Sequence, residues 1–131
     1  MRPEQWRHFK AAAKRVPGTP VPLALIVDSP WMPGHLGISH KDYYFNSEAW
    51  FDAHRRVIDE FPEVICFPSW WAEIGMAAEP SALGVRIRFW DHQTPGEERV
   101  PFRLEDLGEL AAPDPASDGF CPLILHRYAT M

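Results

Sequence analysis

Val21-Pro22-Leu23-Ala24-Leu25-Ile26-Val27-Asp28 is the stretch on which the fold turns. Pro17-Gly18 breaks the chain before it, and residues 29–37 follow as a Pro- and Gly-punctuated loop. A continuous apolar run of this length reads as a strand buried on both faces, the kind found in parallel sheets. A second run, Val64-Ile65-Cys66-Phe67-Pro68, has the same character. Between the two, residues 39–45 read as a short helix, Asn46 and Ser47 as capping types, and residues 48–60 as a longer helix. Trp50, Ala53, Val57, Ile58 and Phe61 recur on one face of that helix, and Pro62 closes it. His54 falls on the same face and reads as a hydrogen-bonded core histidine. Strand, helix and strand in this order predict a right-handed parallel βαβ unit.

Outward from this unit, Pro3 opens an amphipathic helix over about 3–15, with Trp6, Phe9, Ala13 and Val16 at helical spacing. Arg2, Arg7, Lys10, Lys14 and Arg15 form its solvated face, and the absence of an apolar h-region speaks against a secretory signal. Downstream, residues 74–82 read as helix or irregular structure. Val85, Ile87 and Phe89 alternate with Arg86, Arg88 and Trp90, which predicts a half-exposed hairpin arm before a turn at 93–98. Residues 104–110 read as a short helix, 112–119 as a polar linker and the apolar segment from Phe120 onward as a helix.

The chain has 131 residues, which predicts a single domain over 1–131. Lys plus Arg is 13 against 18 for Asp plus Glu, a net charge of −5. That balance argues against nucleic-acid binding, which needs a basic excess or stripe. The 46% hydrophobic content excludes an intrinsically disordered chain. Fourteen prolines cut it into short elements and argue against a helical bundle. No apolar run approaches the roughly 20 residues of a membrane-spanning helix, so no membrane partner is expected. Cys66 and Cys121 read as reduced, buried thiols of a cytoplasmic protein, and no CxxC or HExxH spacing marks a metal site.

The order of motifs carries a resemblance. Val21-Pro22-Leu23-Ala24 is followed by Phe61-Pro62-Glu63-Val64-Ile65-Cys66-Phe67, then Glu79-Pro80-Ser81-Ala82-Leu83-Gly84-Val85-Arg86-Ile87-Arg88-Phe89, then Pro101-Phe102-Arg103-Leu104-Glu105-Asp106-Leu107. Over nearly its whole length the chain resembles the amino-terminal part of the uroporphyrinogen decarboxylase superfamily. Each motif alone is moderately specific; their order and spacing carry the likeness. The resemblance implies an α/β fold, part of a (β/α)8 TIM barrel, made of the N-terminal βα units with an inserted β-hairpin. It also implies a parent enzyme acting on a small or tetrapyrrole-like substrate, either as a decarboxylase or as a corrinoid-linked methyltransferase. No cofactor is expected in this segment, and zinc is expected only in a full-length parent of the methyltransferase kind.

Two departures bear on the reaction. The decarboxylases hold their substrate's carboxylates with an arginine pair after the first strand, and residues 28–37 contain no arginine. They also carry an Asp just after the second strand, where this chain reads Pro68-Ser69-Trp70-Trp71, with Glu73 the nearest acid. A substrate with eight carboxylates needs cationic clamps, so methyl transfer or an unassigned reaction is favoured over decarboxylation of uroporphyrinogen itself.

In a TIM barrel the chemistry lies on the loops after the strands. That logic selects Asp28, His35 and Glu73 as candidate catalytic groups, and Trp31, Met32, Ser69 and Trp70 as candidate substrate contacts. Asp28 reads as a general base or as the cap of the Ser29-Pro30 turn. His35 reads as a proton donor or as a plain loop residue. Trp70 reads as a stacking surface for a flat ring or as rim packing. A whole barrel takes about 250 residues, so this length predicts either a fragment of a longer enzyme or a chain that self-associates. The alternative of another class is a non-catalytic half-barrel that dimerises or docks on a partner through its open sheet edge.

Overall fold

The computed structural model describes residues 2–27, 29–67, 70–98 and 103–130. Its sheet begins at β1 (Ala24–Ile26), which pairs in parallel with β2 (Ile65–Phe67) in the register Ala24 to Ile65, Leu25 to Cys66 and Ile26 to Phe67. The predicted strand–helix–strand unit is therefore present, and the chain is of mixed α/β class. The first strand is shorter than its apolar run. Pro22 has no N–H to give a ladder, and the pairing beside it is reduced to Ile65 N–H donating to Leu23 O at 2.9 Å.

The expectation that this strand is buried on both faces is corrected. Leu25 is 47% and Ile26 is 67% exposed, and successive strand residues point to opposite faces. Only β2 pairs with β1 among the described residues, so nothing described covers its outer side.

Helix α1 (Pro3–Ala13) packs against this sheet lightly. Phe9 stacks between Trp6 and Phe67, with ring centroids 5.8 Å apart in both pairs. The Gln5 amide donates to the carbonyls of Pro62 (3.1 Å) and Val64 (3.3 Å), tying α1 to the segment that enters β2. No residue of α1 is fully buried.

The predicted loop after β1 contains a helix, α2 (Met32–Leu36), which ends on Gly37 in the left-handed region at φ +67°. Helix α3 (His40–Phe45) starts where the Ser39 hydroxyl accepts from Lys41 N–H. Helix α4 (Ser47–Glu60) starts where Asn46 Oδ1 accepts from the amides of Glu48 (3.0 Å) and Ala49 (3.1 Å). Past β2 come α5 (Ala78–Ala82), the antiparallel pair β3 (Ile87–Arg88) and β4 (Gly96–Glu97), a 3₁₀ turn (Leu104–Glu109) and α6 (Cys121–Thr130). The hairpin is as expected, except that part of the predicted turn is its second strand.

The core lies on the helical side of the sheet. Trp50, Ala53 and Val57 of α4 pack with Met32, Tyr43, Tyr44, Ala72, Ile74 and Ala77. Trp50 Nε1 donates to Trp71 O at 3.2 Å, which fixes the segment after β2 against α4. His54 is buried and shares a 3.1 Å hydrogen bond with the Tyr43 hydroxyl, the core role expected of it. No helix among the described residues is long and apolar enough to cross a membrane.

Gly75 has φ +54°, and a Cβ there would lie 2.5 Å from Pro95 Cδ and 2.9 Å from the Tyr44 hydroxyl. Gly75→Ala is expected to lower unfolding free energy by about 2 kcal/mol through strain and overpacking. Urea denaturation checks this, with a lowered midpoint at unchanged slope as the result.

Candidate functional site

Trp31, on the segment leaving β1, is a predicted contact that lines a cleft. The cleft is about 360 Å³ and is lined by Leu25, Ile26 and Val27 of the first strand, Trp31, Val57 and Phe61 at the end of α4, and Val64 and Cys66 of the second strand. Among the described residues, its walls carry no charged side chain. It falls within the roughly 300–1,000 Å³ of ordinary small-molecule sites.

His35 borders this cleft through its ring contacts. It stacks on Trp31 with centroids 4.4 Å apart and planes 15° apart, and sits 5.8 Å from Phe61. Its Nε2 lies 2.8 Å from Glu60 Oε2. An ionised carboxylate only accepts, so Nε2–H donates, and in the neutral imidazole Nδ1 is then the acceptor. A carboxylate-oriented histidine beside an apolar cleft has the parts of a general base. Both partners are partly exposed, so as an ion pair the contact adds little to stability.

The other described candidates have different surroundings. Met32 is 1% exposed and belongs to the core, not to a substrate surface. Trp70 stacks on Phe51 of α4 at 4.6 Å with planes 3° apart, and lies 5.7 Å from His54. This is the packing alternative weighed for it. Glu73 is partly buried, and its carboxylate accepts from the Gly75 amide, so it holds the turn in which Gly75 sits. Asp28 and Ser69 lie outside the described residues. Among the described residues no three His, Cys, Asp or Glu gather as a metal-binding group.

Two charged groups escaped the sequence reading. Glu60 carries a signal, because an acidic residue closing a helix opposes the negative end of its dipole. Arg127 carries another, as a lone cation within the apolar run 122–128. It is 1% exposed and lies 5.1 Å from the centroid of the Trp50 ring. Its Nη2 donates to the carbonyls of Tyr43 and Tyr44 at the end of α3. Burial pulls its pKa below the ordinary arginine range.

With this geometry in hand, comparison with known proteins adds nothing further: no family model, no curated protein and no solved structure matches the chain.

Burial pushes the Cys66 thiol above its ordinary pKa, so less of it is thiolate at pH 8, and the same burial restricts access to it. Cys121 is less buried. Iodoacetamide at pH 8 is expected to alkylate Cys121 about tenfold faster than Cys66, read by peptide mass spectrometry. Equal rates would contradict the burial of Cys66.

Proposed function

We propose that this chain supplies the first βα units of a (β/α)8-barrel enzyme resembling the uroporphyrinogen decarboxylase superfamily. On this reading the completed enzyme acts on a small or tetrapyrrole-like molecule, by decarboxylation or by corrinoid-linked methyl transfer. The observation that carries it is the parallel β1–α4–β2 unit with an outer strand bare on both faces. The cleft is lined by Leu25, Ile26 and Val27, and a small ligand in it leaves the outer edge of the strand unpaired. A further strand on that edge with a helix beside it, which is the next unit of a barrel, would pair the edge and cover both faces. Adjacent, sequential parallel strands also fit that order.

Support for the site is narrower. Trp31 and His35 follow the first strand, where barrel enzymes place their chemistry, and Glu60 orients the imidazole. The uncharged cleft walls suit an apolar or flat group. They favour methyl transfer, or loss of a single carboxyl group, over binding a polycarboxylate through this face. The open β1 edge also supports a second reading, a non-catalytic module that docks on a partner strand.

The test is made on the native particle that contains this chain. It is assayed for carbon dioxide release from uroporphyrinogen and for methyl transfer from a methylcorrinoid to a thiol. Methyl-transfer activity is expected, and His35→Asn is expected to reduce kcat by about 100-fold, the scale of a lost proton-transfer group. Activity in neither assay, or activity indifferent to His35→Asn, would overturn the enzymatic reading and leave the docking module.

A further inference from the structure

The outward face of α1 is a feature that the barrel reading leaves unused. Residues 1–27 hold five cations, Arg2, Arg7, Lys10, Lys14 and Arg15, against the single acid Glu4. That segment carries +4 in a chain of −5, so the remaining residues carry −9. Gln5 and Phe9 turn to the sheet side, where Gln5 reaches the carbonyls of Pro62 and Val64 and Phe9 stacks on Phe67. Arg7, Lys10 and Lys14, spaced by three and four, form a row along α1 and its carboxyl-terminal cap, on the side away from those contacts. All three are exposed, and among the described residues none of them forms an ion pair. Trp6 borders the row, 42% exposed, with the Lys10 ammonium 5.2 Å from its ring centroid.

A row of unpaired cations bordered by an exposed indole is the pattern that holds a helix flat on an anionic lipid surface, and such adsorption needs no membrane-spanning run. We infer that α1 lays this face on an anionic lipid bilayer, with Arg7, Lys10 and Lys14 at the headgroups and Trp6 at the border of the acyl chains. Charge complementarity selects the occupant. Glu4 on the first turn and Glu63, between the two residues that Gln5 contacts, are set against five cations, so the face keeps a positive excess. The −9 of the remaining residues is repelled by the same surface, which orients the molecule with α1 towards it. Shape separates a bilayer from nucleic acid. No residue of α1 is fully buried, so the row stands on a convex ridge, whereas single strands are held in basic grooves lined by stacking rings.

The probe is a vesicle of phosphatidylcholine with about 30 mol% phosphatidylserine, set against vesicles of phosphatidylcholine alone. Binding of the full chain is read by co-sedimentation. At about 0.1 M salt the chain is expected to bind the anionic vesicle and not the neutral one, and at about 0.5 M salt the binding is expected to fall at least tenfold. Arg7→Gln, Lys10→Gln and Lys14→Gln together are expected to weaken binding about 100-fold, since each cation at such a surface is worth roughly fivefold. These side chains are exposed and unpaired, so the triple variant is expected to keep its fold, which circular dichroism checks. Trp6→Ser, with the cations intact, is expected to weaken binding about fivefold, a change that charge attraction alone would not produce. Equal binding to the two vesicles, binding to neither, or an affinity unchanged in the triple variant would each overturn the proposal. Tighter binding to a single-stranded oligonucleotide or to an acidic peptide than to the anionic vesicle would overturn the assignment to lipid.

Discussion

Trp50 is the contact through which the pieces of this chain are held together. Its ring is buried on α4, its indole N–H donates to Trp71 O, and Arg127 of α6 lies over its face. His54, one turn later, packs edge-on at 5.0 Å and reaches Tyr43 of α3. Trp50 and its neighbour His54 thus link the helix of the βαβ unit to the segment after β2, to α3 and to the terminal helix. A buried aromatic supplies both the area and the polar handle that such a junction needs.

That junction places the core on one side of the sheet and leaves the other elements thinly held. The strands contribute three residues each, and α1 covers β2 with an aromatic stack instead of a fully buried face. Among the described residues the outer strand has a free edge, and its apolar side chains are exposed on both faces. Parallel sheets are ordinarily covered on both faces because their residues are apolar throughout. The uncovered strand, the apolar cleft beside it and the His35–Glu60 pair at the border of that cleft form one continuous feature. The same feature supports both the barrel reading and the docking reading.

Local chemistry was legible wherever a residue's neighbours in sequence decide its structure. Asn46 caps α4 as its type predicts, Pro62 closes that helix, and the Arg–hydrophobic alternation at 85–90 becomes a hairpin arm. His54 is a core residue, as its place on the apolar face of α4 implies. Burial of β1 was misread because an apolar run reports what a strand requires and not which neighbours supply it. The surroundings of the candidate residues were not legible for a related reason. Position after a strand was taken to mean exposure to substrate, yet Met32 turns into the core, Trp70 lies flat on Phe51 and Glu73 holds a tight turn. Glu60 and Arg127 act across 25 and more than 80 residues of sequence, through contacts that no local pattern encodes.

The decisive quantity is the mass of the native particle, measured by intact mass spectrometry together with light scattering. If a further parallel βα unit covers the β1 edge, that particle is heavier than the 15.0 kDa of this chain, as a longer polypeptide or as an assembly. A monodisperse particle of 15.0 kDa that unfolds in one cooperative step, with Leu25 and Ile26 still open to solvent, would contradict it.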